Sequence, residues 1–306
     1  MSDHAKGVIY AVITALMWGV LAVVLKVAVQ QVDAFTIVWF RFSLAFIPLL
    51  IWHILRRPSE LVIFRKPPWL LVLATVMLAY NYLGFMLGVH YTTPNNAQLF
   101  IQSGPVLLTL AGVLFFRETI SQRQIFGFLL AMAGLVIFYN QQIGFFTSGT
   151  QLYMKGVLIT LSAAVSWTVY AALQKKLVKR YSTYTLNLFL FGLPTLLFFP
   201  LAKPLQLLEL NWVMWLIMLF LGLNTLVAYT TLSLALKYIE AGKVSIIIIL
   251  NPLITFAIMG TVTYLEVSWI AGENFTLWSV TGALTVLAGA ALVVMKKRKR
   301  AQPISI

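Results

Sequence analysis

The sequence contains no cysteine, and only 10% of its residues are charged. Without cysteine the chain can form neither a disulfide nor a thiolate metal site. A soluble domain carries about a quarter charged residues, which it needs on its water-facing surface. Because 61% of the residues are hydrophobic and the mean hydropathy is +0.92, the solvent of this protein must be largely lipid.

The chain also lacks the side-chain groupings that metal sites and catalytic sites require. Its three histidines, His4, His53 and His90, are far apart and show no metal-ligand spacing. The sequence contains no serine nucleophile elbow either. We therefore predict no metal, no cofactor and no enzyme activity.

Ten continuously apolar runs alternate with short polar connections. Runs of about 17–25 residues are long enough to cross a bilayer as helices, and their continuous hydrophobicity argues against a barrel. The sequence thus predicts an all-α, multi-pass membrane protein with ten transmembrane helices. The predicted spans are at about 7–29, 34–55, 69–88, 95–116, 124–140, 152–174, 184–202, 212–234, 243–264 and 276–295.

The basic residues collect on one side of these spans. With a cytoplasmic amino terminus, 18 of the 22 Lys and Arg residues, Lys175 among them, fall in inner connections and the tail, whereas Lys155 and Lys203 fall outside. Because basic loops stay in the cytoplasm, we predict an inner (plasma) membrane protein with both termini inside. The net charge of +14 then reflects topology and not nucleic-acid binding, and the basic tail at 296–300 is expected to contact anionic lipid headgroups.

The two halves of the chain repeat one another. The segment GVIYAVITALMW at 7–18 recurs 149 positions later as GVLITLSAAVSW at 156–167. In each half a tyrosine is followed fourteen residues later by a proline: Tyr91 and Pro105, then Tyr238 and Pro252. Five spans make up each copy, so the second copy enters the membrane from the opposite side. We predict two inverted five-helix repeats, residues 1–144 and 145–306.

Inverted repeats have a mechanical meaning in a membrane. Two similar halves that face opposite ways can exchange conformations and open a shared midplane cavity alternately to each side. The sequence therefore indicates a secondary transporter for a small metabolite. The alternative is an integral membrane enzyme or lipid-modifying protein with a site at the inner rim, near residues 56–66.

The whole chain resembles the EamA-type carriers of the drug/metabolite transporter superfamily. The resemblance rests on the two tryptophan-containing helices just described and on DAFTIVWFRF at 33–42. It also rests on ALKYIEAGKVSIIIILNPLITFAIMGTVTYLE at 235–266 and its looser counterpart at 88–118. The resemblance implies two five-helix repeats and the export of an amino acid, another metabolite or a drug.

Polar and aromatic side chains at membrane depth are the candidates for a substrate cavity, since such groups face the interior of a helix bundle. Trp18 and Trp167 lie near mid-span, where they either pack or form an aromatic wall. The other candidates are Arg41, Tyr80, Asn81, Tyr82, His90, Gln98, Gln102, Tyr170, Asn224, Tyr229 and Asn251. His90 is either a solvated helix-end residue or a proton-coupling group.

Pro105 and Pro252 lie inside predicted spans, where proline removes a backbone hydrogen bond and bends the helix. We interpret them as a pair of hinges at the border of the cavity, with a static kink as the alternative. Glycines at 127 and 134, and again at 282 and 289, let helices approach closely, either within the fold or in a homodimer. The predicted partners are thus a small-molecule substrate, membrane lipids and, as one alternative, a second copy of the chain.

Arg41 is the most unusual candidate because it lies about seven residues inside its span, roughly 10 Å deep at about 1.5 Å per residue. An arginine at that depth costs a few kcal/mol unless it is paired or faces water. No Asp or Glu is predicted deep in any span. Two interpretations stay open: Arg41 donates to backbone carbonyls, or it faces the cavity and binds a substrate carboxylate or another anion.

Overall fold

The computed structural model describes residues 2–92, 94–138, 151–267, 269 and 276–294, and helices joined by short turns and loops make up these residues. The predicted repeat junction at 144/145 and the basic tail at 296–300 lie outside them. The α-helices of the described residues are α1 (Asp3–Ala28), α2 (Ala34–Arg56), α3 (Trp69–Tyr91), α4 (Pro94–Ile101), α5 (Ser103–Phe116), α6 (Gln122–Phe138), α7 (Gln151–Leu177), α8 (Thr183–Phe198), α9 (Trp212–Tyr238), α10 (Ala241–Ile248), α11 (Asn251–Tyr264) and α12 (Leu277–Val294). Short 3₁₀ helices lie at Pro58–Phe64, Phe199–Leu201 and Pro204–Glu209.

Seven helical stretches of the described residues are long and apolar enough to cross a membrane. They are α1, α2, α3, α7, α8 with the 3₁₀ turn that follows it, α9, and α10 together with α11. The other three predicted spans contain shorter apolar helices, α5, α6 and α12. Length and hydropathy therefore establish a multi-span helical protein.

Several helices begin at a polar side chain that satisfies free backbone N–H groups. The Asp33 carboxylate accepts from the backbone N of Phe35 at 3.0 Å and of Thr36 at 3.2 Å, at the start of α2. Asn211 Oδ1 accepts from Met214 N at 2.9 Å at the start of α9. Because the first turn of a helix has no internal acceptors, such caps fix where each helix begins.

The long helices pack in pairs that join the two halves of the chain. Helix α1 packs along α9, α3 along α7, α2 against α8, and α6 against α12. Small side chains bring the paired backbones close: a Cβ added at Gly134 would lie 2.6 Å from the backbone N of Val286. A Cβ at Gly289 would lie 2.5 Å from the backbone N of Ala131. The predicted glycine face is thus used within the chain, between α6 and α12.

Two of the predicted spans are broken helices. Helices α4 and α5 are separated at Gln102, and α10 and α11 are separated at residues 249–250. Pro105 and Pro252 each lie just inside the helix that follows the break, and both are buried. Because proline supplies no backbone N–H, the preceding turn loses a hydrogen bond and the helix divides at that point. The sequence predicted a bend in each of these spans, and the structure has a break.

Candidate functional site

A cavity lies where the two halves of the chain meet, between the broken spans and helices α1, α2, α3, α7 and α9. It contains about 670 Å³ of space, counting its open side. Ten predicted residues line it: Trp18, Arg41, Asn81, Tyr82, Gln98, Gln102, Pro105, Trp167, Tyr229 and Asn251. The remaining lining is apolar and could not be singled out from sequence: Leu21, Ala22, Phe85, Ile101 and Ile248.

Aromatic rings form one wall of the cavity. Trp18 and Trp167, which hold the same position in the two copies of the repeat, contact edge to face with ring centres 5.8 Å apart. Tyr229 lies 5.5 Å from Trp18 and 5.6 Å from Tyr82 by the same measure. Aromatic pairs at these distances prefer such tilted and edge-to-face arrangements. The wall is therefore a continuous aromatic surface, and it suits a flat apolar group.

Arg41 is buried in α2, with 4% of its surface exposed, and it lines the cavity. Its Nε donates to Thr225 Oγ1 at 3.1 Å, and its guanidinium carbon lies 4.5 Å from the centre of the Tyr82 ring. The Tyr82 hydroxyl donates to the same Thr225 oxygen at 3.3 Å. These partners are neutral side chains and not backbone carbonyls. Among the described residues no carboxylate lies within ion-pair distance of Arg41.

An amide cluster lies where the two broken spans meet. Asn251 Oδ1, at the first residue of α11, accepts from Gln98 Nε2 at 3.1 Å and from Gln102 Nε2 at 2.9 Å. The group that Asn251 can still offer to a ligand is therefore its Nδ2 donor. Asn81 already uses its donor within the fold, since its Nδ2 donates to the Ala163 carbonyl of α7 at 3.0 Å.

Two predicted site residues of α3 lie outside the cavity. Tyr80 is 43% exposed and its hydroxyl pairs with Ser162 Oγ at 2.7 Å. Successive helical residues point about 100° apart, so Tyr80 lies on nearly the opposite side of α3 from Tyr82. His90 is exposed at the end of α3 beside the ring of Tyr91. Within the described residues no three His, Asp or Glu side chains come together to hold a metal ion.

Three other predicted residues support the cavity from behind and do not line it. Tyr170 is completely buried in α7, with its ring centre 5.8 Å from that of Tyr229. Asn224 Nδ2 donates to the Met17 carbonyl at 2.7 Å and so ties α9 to α1. Pro252 lies beside Asn251 in the first turn of α11, behind the lining residue.

Sequence reasoning missed an ion pair at the end of the bundle where α1 begins, which we call the amino end. Lys175, counted above with the basic connections, is buried in the last turn of α7, and its Nζ lies 2.9 Å from Glu118 Oε1. Glu118 also accepts from the backbone N of Ala241, the first residue of α10, at 3.0 Å. The pair therefore ties the ends of α5 and α7 to the start of α10. Lys26 and Lys175 lie 149 positions apart, the spacing of the repeat, and that signal could have placed Lys175 in a helix.

The comparison with known families now decides the class of the protein. The model of the EamA-like transporter family matches residues 5–140 and again residues 154–295. This chain belongs to the EamA-like transporter family. The EamA resemblance predicted from the sequence is thereby confirmed, and so is the prediction of a multi-pass membrane protein.

Proteins named as transporters match this chain over nearly their whole length. The uncharacterized inner membrane transporter YhbE of Escherichia coli K12 is 34% identical over 288 residues, which cover 93% of this chain and 89% of YhbE. A transporter of Haemophilus influenzae is 30% identical over 287 residues, 94% of each chain. A crystal structure at 18% identity aligns with a TM-score of 0.73 over 94% of this chain, which supports the fold. The family and these relatives point to a transporter rather than an enzyme.

Proposed function

We propose that this EamA-like protein is a secondary transporter that exports a small metabolite, such as an amino acid or a related compound, by alternating access. The observation that carries the proposal is the cavity to which both halves contribute equivalent residues. Trp18 and Trp167 are 149 positions apart, and Tyr82 and Tyr229 are 147 apart, yet all four line one cavity. A substrate site at the interface of two repeats is the arrangement that alternating access requires.

We further propose ten spans arranged as two inverted repeats, residues 1–144 and 145–306. The matched segments 5–140 and 154–295 support this division. The packing supports it as well, because exchanging the copies converts one helix contact into another. The α1–α9 contact becomes α7–α3, the α5–α7 contact becomes α11–α1, and the α2–α8 and α6–α12 contacts map onto themselves.

The proposed orientation places the amino end in the cytoplasm, as the distribution of basic residues predicts. Because the chain has no cysteine, single cysteines can be introduced without background. A cysteine at Ser59, between α2 and α3, should react with an impermeant thiol reagent only after permeabilisation of intact cells. One at Glu209, between α8 and α9, should react without it. The reverse pattern would contradict the orientation, and labelling of both cysteines from the same side would contradict the inverted repeat.

The lining residues of the cavity lie at mid-helix, as Trp18 does, or toward the end opposite the amino end, as Arg41 and Gln98 do. At the amino end, Thr14 Oγ1 of α1 and Thr231 Oγ1 of α9 are 2.8 Å apart, and the Tyr10 and Tyr238 rings stack at 6.1 Å. With the amino end inside, this is the outward-facing state of the proposed transport cycle. The inward-facing state requires these contacts and the Glu118–Lys175 pair to separate.

Purified protein in liposomes tests the transport function directly. Labelled amino acids and related metabolites should cross the bilayer faster than in protein-free liposomes, and Trp18→Ala should slow them because it opens the aromatic wall. Trp69→Ala is the matched control, since Trp69 is 71% exposed on the outside of α3. Chemical turnover of a compound without its movement across the bilayer would instead favour the membrane enzyme.

A further inference from the structure

The described lining of the cavity carries a single formal charge at neutral pH. Of the fifteen described residues that line it, Arg41 alone is ionisable with a positive charge at neutral pH, and none is acidic. The contacts of Arg41 with Thr225 and Tyr82 provide hydrogen bonding and a π-face but no negative charge. An arginine held at this depth without a counter-charge is costly. An anion that enters the cavity would remove that cost.

The cavity contains only one positive charge among its described lining residues because the second copy of the repeat has no arginine at the position equivalent to Arg41. Aligned by the 149-residue offset, Arg41 of α2 corresponds to Leu190 of α8, which is completely buried. One monovalent anion therefore neutralises the cavity, whereas a dianion would leave one charge unpaired in an apolar surrounding. Asn251 adds a neutral donor through Nδ2, which stabilises an oxyanion without adding charge.

The remaining walls define the rest of the ligand. Trp18, Trp167 and Tyr229 present ring edges and faces, and the apolar lining of Phe85 and Ile101 lies with them. Such walls favour a flat apolar body over a polyhydroxylated one, since sugar hydroxyls would need more hydrogen-bonding partners than these side chains offer. The planar guanidinium suits the two oxygens of a carboxylate or of a similar oxyanion.

We propose that the cavity binds a small organic monoanion, a carboxylate or comparable oxyanion on a flat apolar body, and that Arg41 is the residue that selects it. This inference rests on the proposed transport function and narrows its substrate to a compound that, unlike a zwitterionic amino acid, carries one net negative charge. It assigns to Arg41 the interpretation in which the residue faces a ligand and not the backbone.

Binding of three similarly shaped probes to wild-type protein in nanodiscs tests the inference without any mutation. Toluene-4-sulfonate carries one permanent negative charge, toluene-4-sulfonamide is neutral, and benzene-1,3-disulfonate carries two. By isothermal titration calorimetry, the monoanion should bind about tenfold more tightly than either of the others, as expected for one charge-assisted hydrogen-bonded contact. Equal or tighter binding of the neutral or the doubly charged probe would overturn the inference.

Variants then assign the selectivity to Arg41. Arg41→Gln should lose about tenfold in affinity for the monoanion and little for the sulfonamide, whereas Arg41→Lys should retain part of the preference. Lys155 lies near the start of α7 and does not line the cavity. Lys155→Gln therefore removes a positive charge outside the cavity and should change the affinity for neither probe. Equal weakening of both probes in Arg41→Gln would return the residue to a structural role.

The binding measurements and the liposome measurements fail independently. Transport of neutral compounds with no preference for the monoanion would be consistent with the proposed transport function but would refute the monoanion inference. Monoanion binding that depends on Arg41, without any transport, would refute the transport function and keep the anion site. If Arg41→Gln does not fold, the three probes on the wild-type protein still decide the matter.

Discussion

The buried ion pair between Glu118 and Lys175 connects several helix ends through two side chains. The two side chains are 11% and 7% exposed, and together they contact α5, α7, the Ile239 carbonyl and the first turn of α10. A carboxylate beside the N–H groups that begin a helix also complements the helix dipole. At the residue scale, this pair therefore ties several helix ends together at the amino end.

Removing one partner of this ion pair should lower the free energy of unfolding far more than removing both partners. Glu118→Gln leaves the Lys175 ammonium buried without a counter-charge, and we expect a loss of about 3 kcal/mol in unfolding free energy. Thermal unfolding in detergent should show the lowered melting temperature. The double variant Glu118→Leu with Lys175→Met should regain most of it, whereas a double variant as unstable as Glu118→Gln would show that the charge is not the cause.

A second residue-scale prediction concerns pH and the connection after α2. Burial tends to raise the pKa of Glu60, but hydrogen bonds from Thr185 and Arg57 and the charges of Arg57 and His53 outweigh it, so the pKa lies below its ordinary 4.5. The stabilisation from Glu60 is therefore complete above pH 4.5 and is lost as the pH falls through the lowered pKa.

Melting temperatures of the wild type, measured from about pH 6 downward through the range in which carboxylates titrate, should show this loss. In Glu60→Gln the decline below pH 4.5 should be smaller, because the titrating carboxylate is gone. Thr185→Val should give an intermediate result, since it removes one of the hydrogen bonds to Glu60. Parallel acid profiles for all three proteins would mean that Glu60 titrates alike in the folded and unfolded chains.

At the scale of elements, the broken spans carry the main prediction. Pro252 cannot donate a backbone N–H, and the chain divides between α10 and α11 just before it. Pro252→Ala restores that donor, so the two helices can join and the span becomes stiffer. We expect slower transport in liposomes at an unchanged amount of folded protein in the membrane.

Pro48 offers the matched control for this prediction. It lies inside α2, which continues unbroken from Ala34 to Arg56, and its side chain is exposed. Pro48→Ala should therefore leave the transport rate near that of the wild type. A normal rate in Pro252→Ala would reduce that proline to a packing role.

Periodicity and composition predicted where helices lie better than how each one is rotated. The sequence indicated that Tyr80, Asn81 and Tyr82 are polar at membrane depth, but which of three successive residues faces the cavity depends on packing against α7. Burial of Lys175 was equally invisible, because a basic residue near a helix end usually extends to the interface. Its partner Glu118 is 57 residues away in the chain, and only the tertiary fold brings the two together.

At the scale of the whole molecule, the amino end is closed by contacts between the two halves. A Cβ added at Gly242, in α10, would lie 3.5 Å from Thr109 Cγ2, in α5. The two side-chain positions are therefore in contact, and we expect cysteines placed there to form a disulfide. The variant carrying both Thr109→Cys and Gly242→Cys should be locked with its amino end shut when oxidised.

In liposomes the oxidised double variant should not transport, and a reducing agent should restore the rate. Each single cysteine variant should transport in both conditions, which controls for the substitutions themselves. Full transport by the oxidised protein, with the disulfide verified by mass spectrometry, would contradict alternating access through separation of α5 and α10.

The isolated charge of Arg41 has an electrical consequence. In the proposed transport cycle a bound monoanion makes the cavity neutral, so the loaded protein would reorient without moving net charge through the membrane field. The empty cavity keeps its positive charge, and a charge that crosses the full field experiences about 2.3 kcal/mol for every 100 mV or so of potential. Membrane voltage should therefore act on the return of the empty protein, altering net transport strongly while leaving the exchange of one bound anion for another almost unchanged.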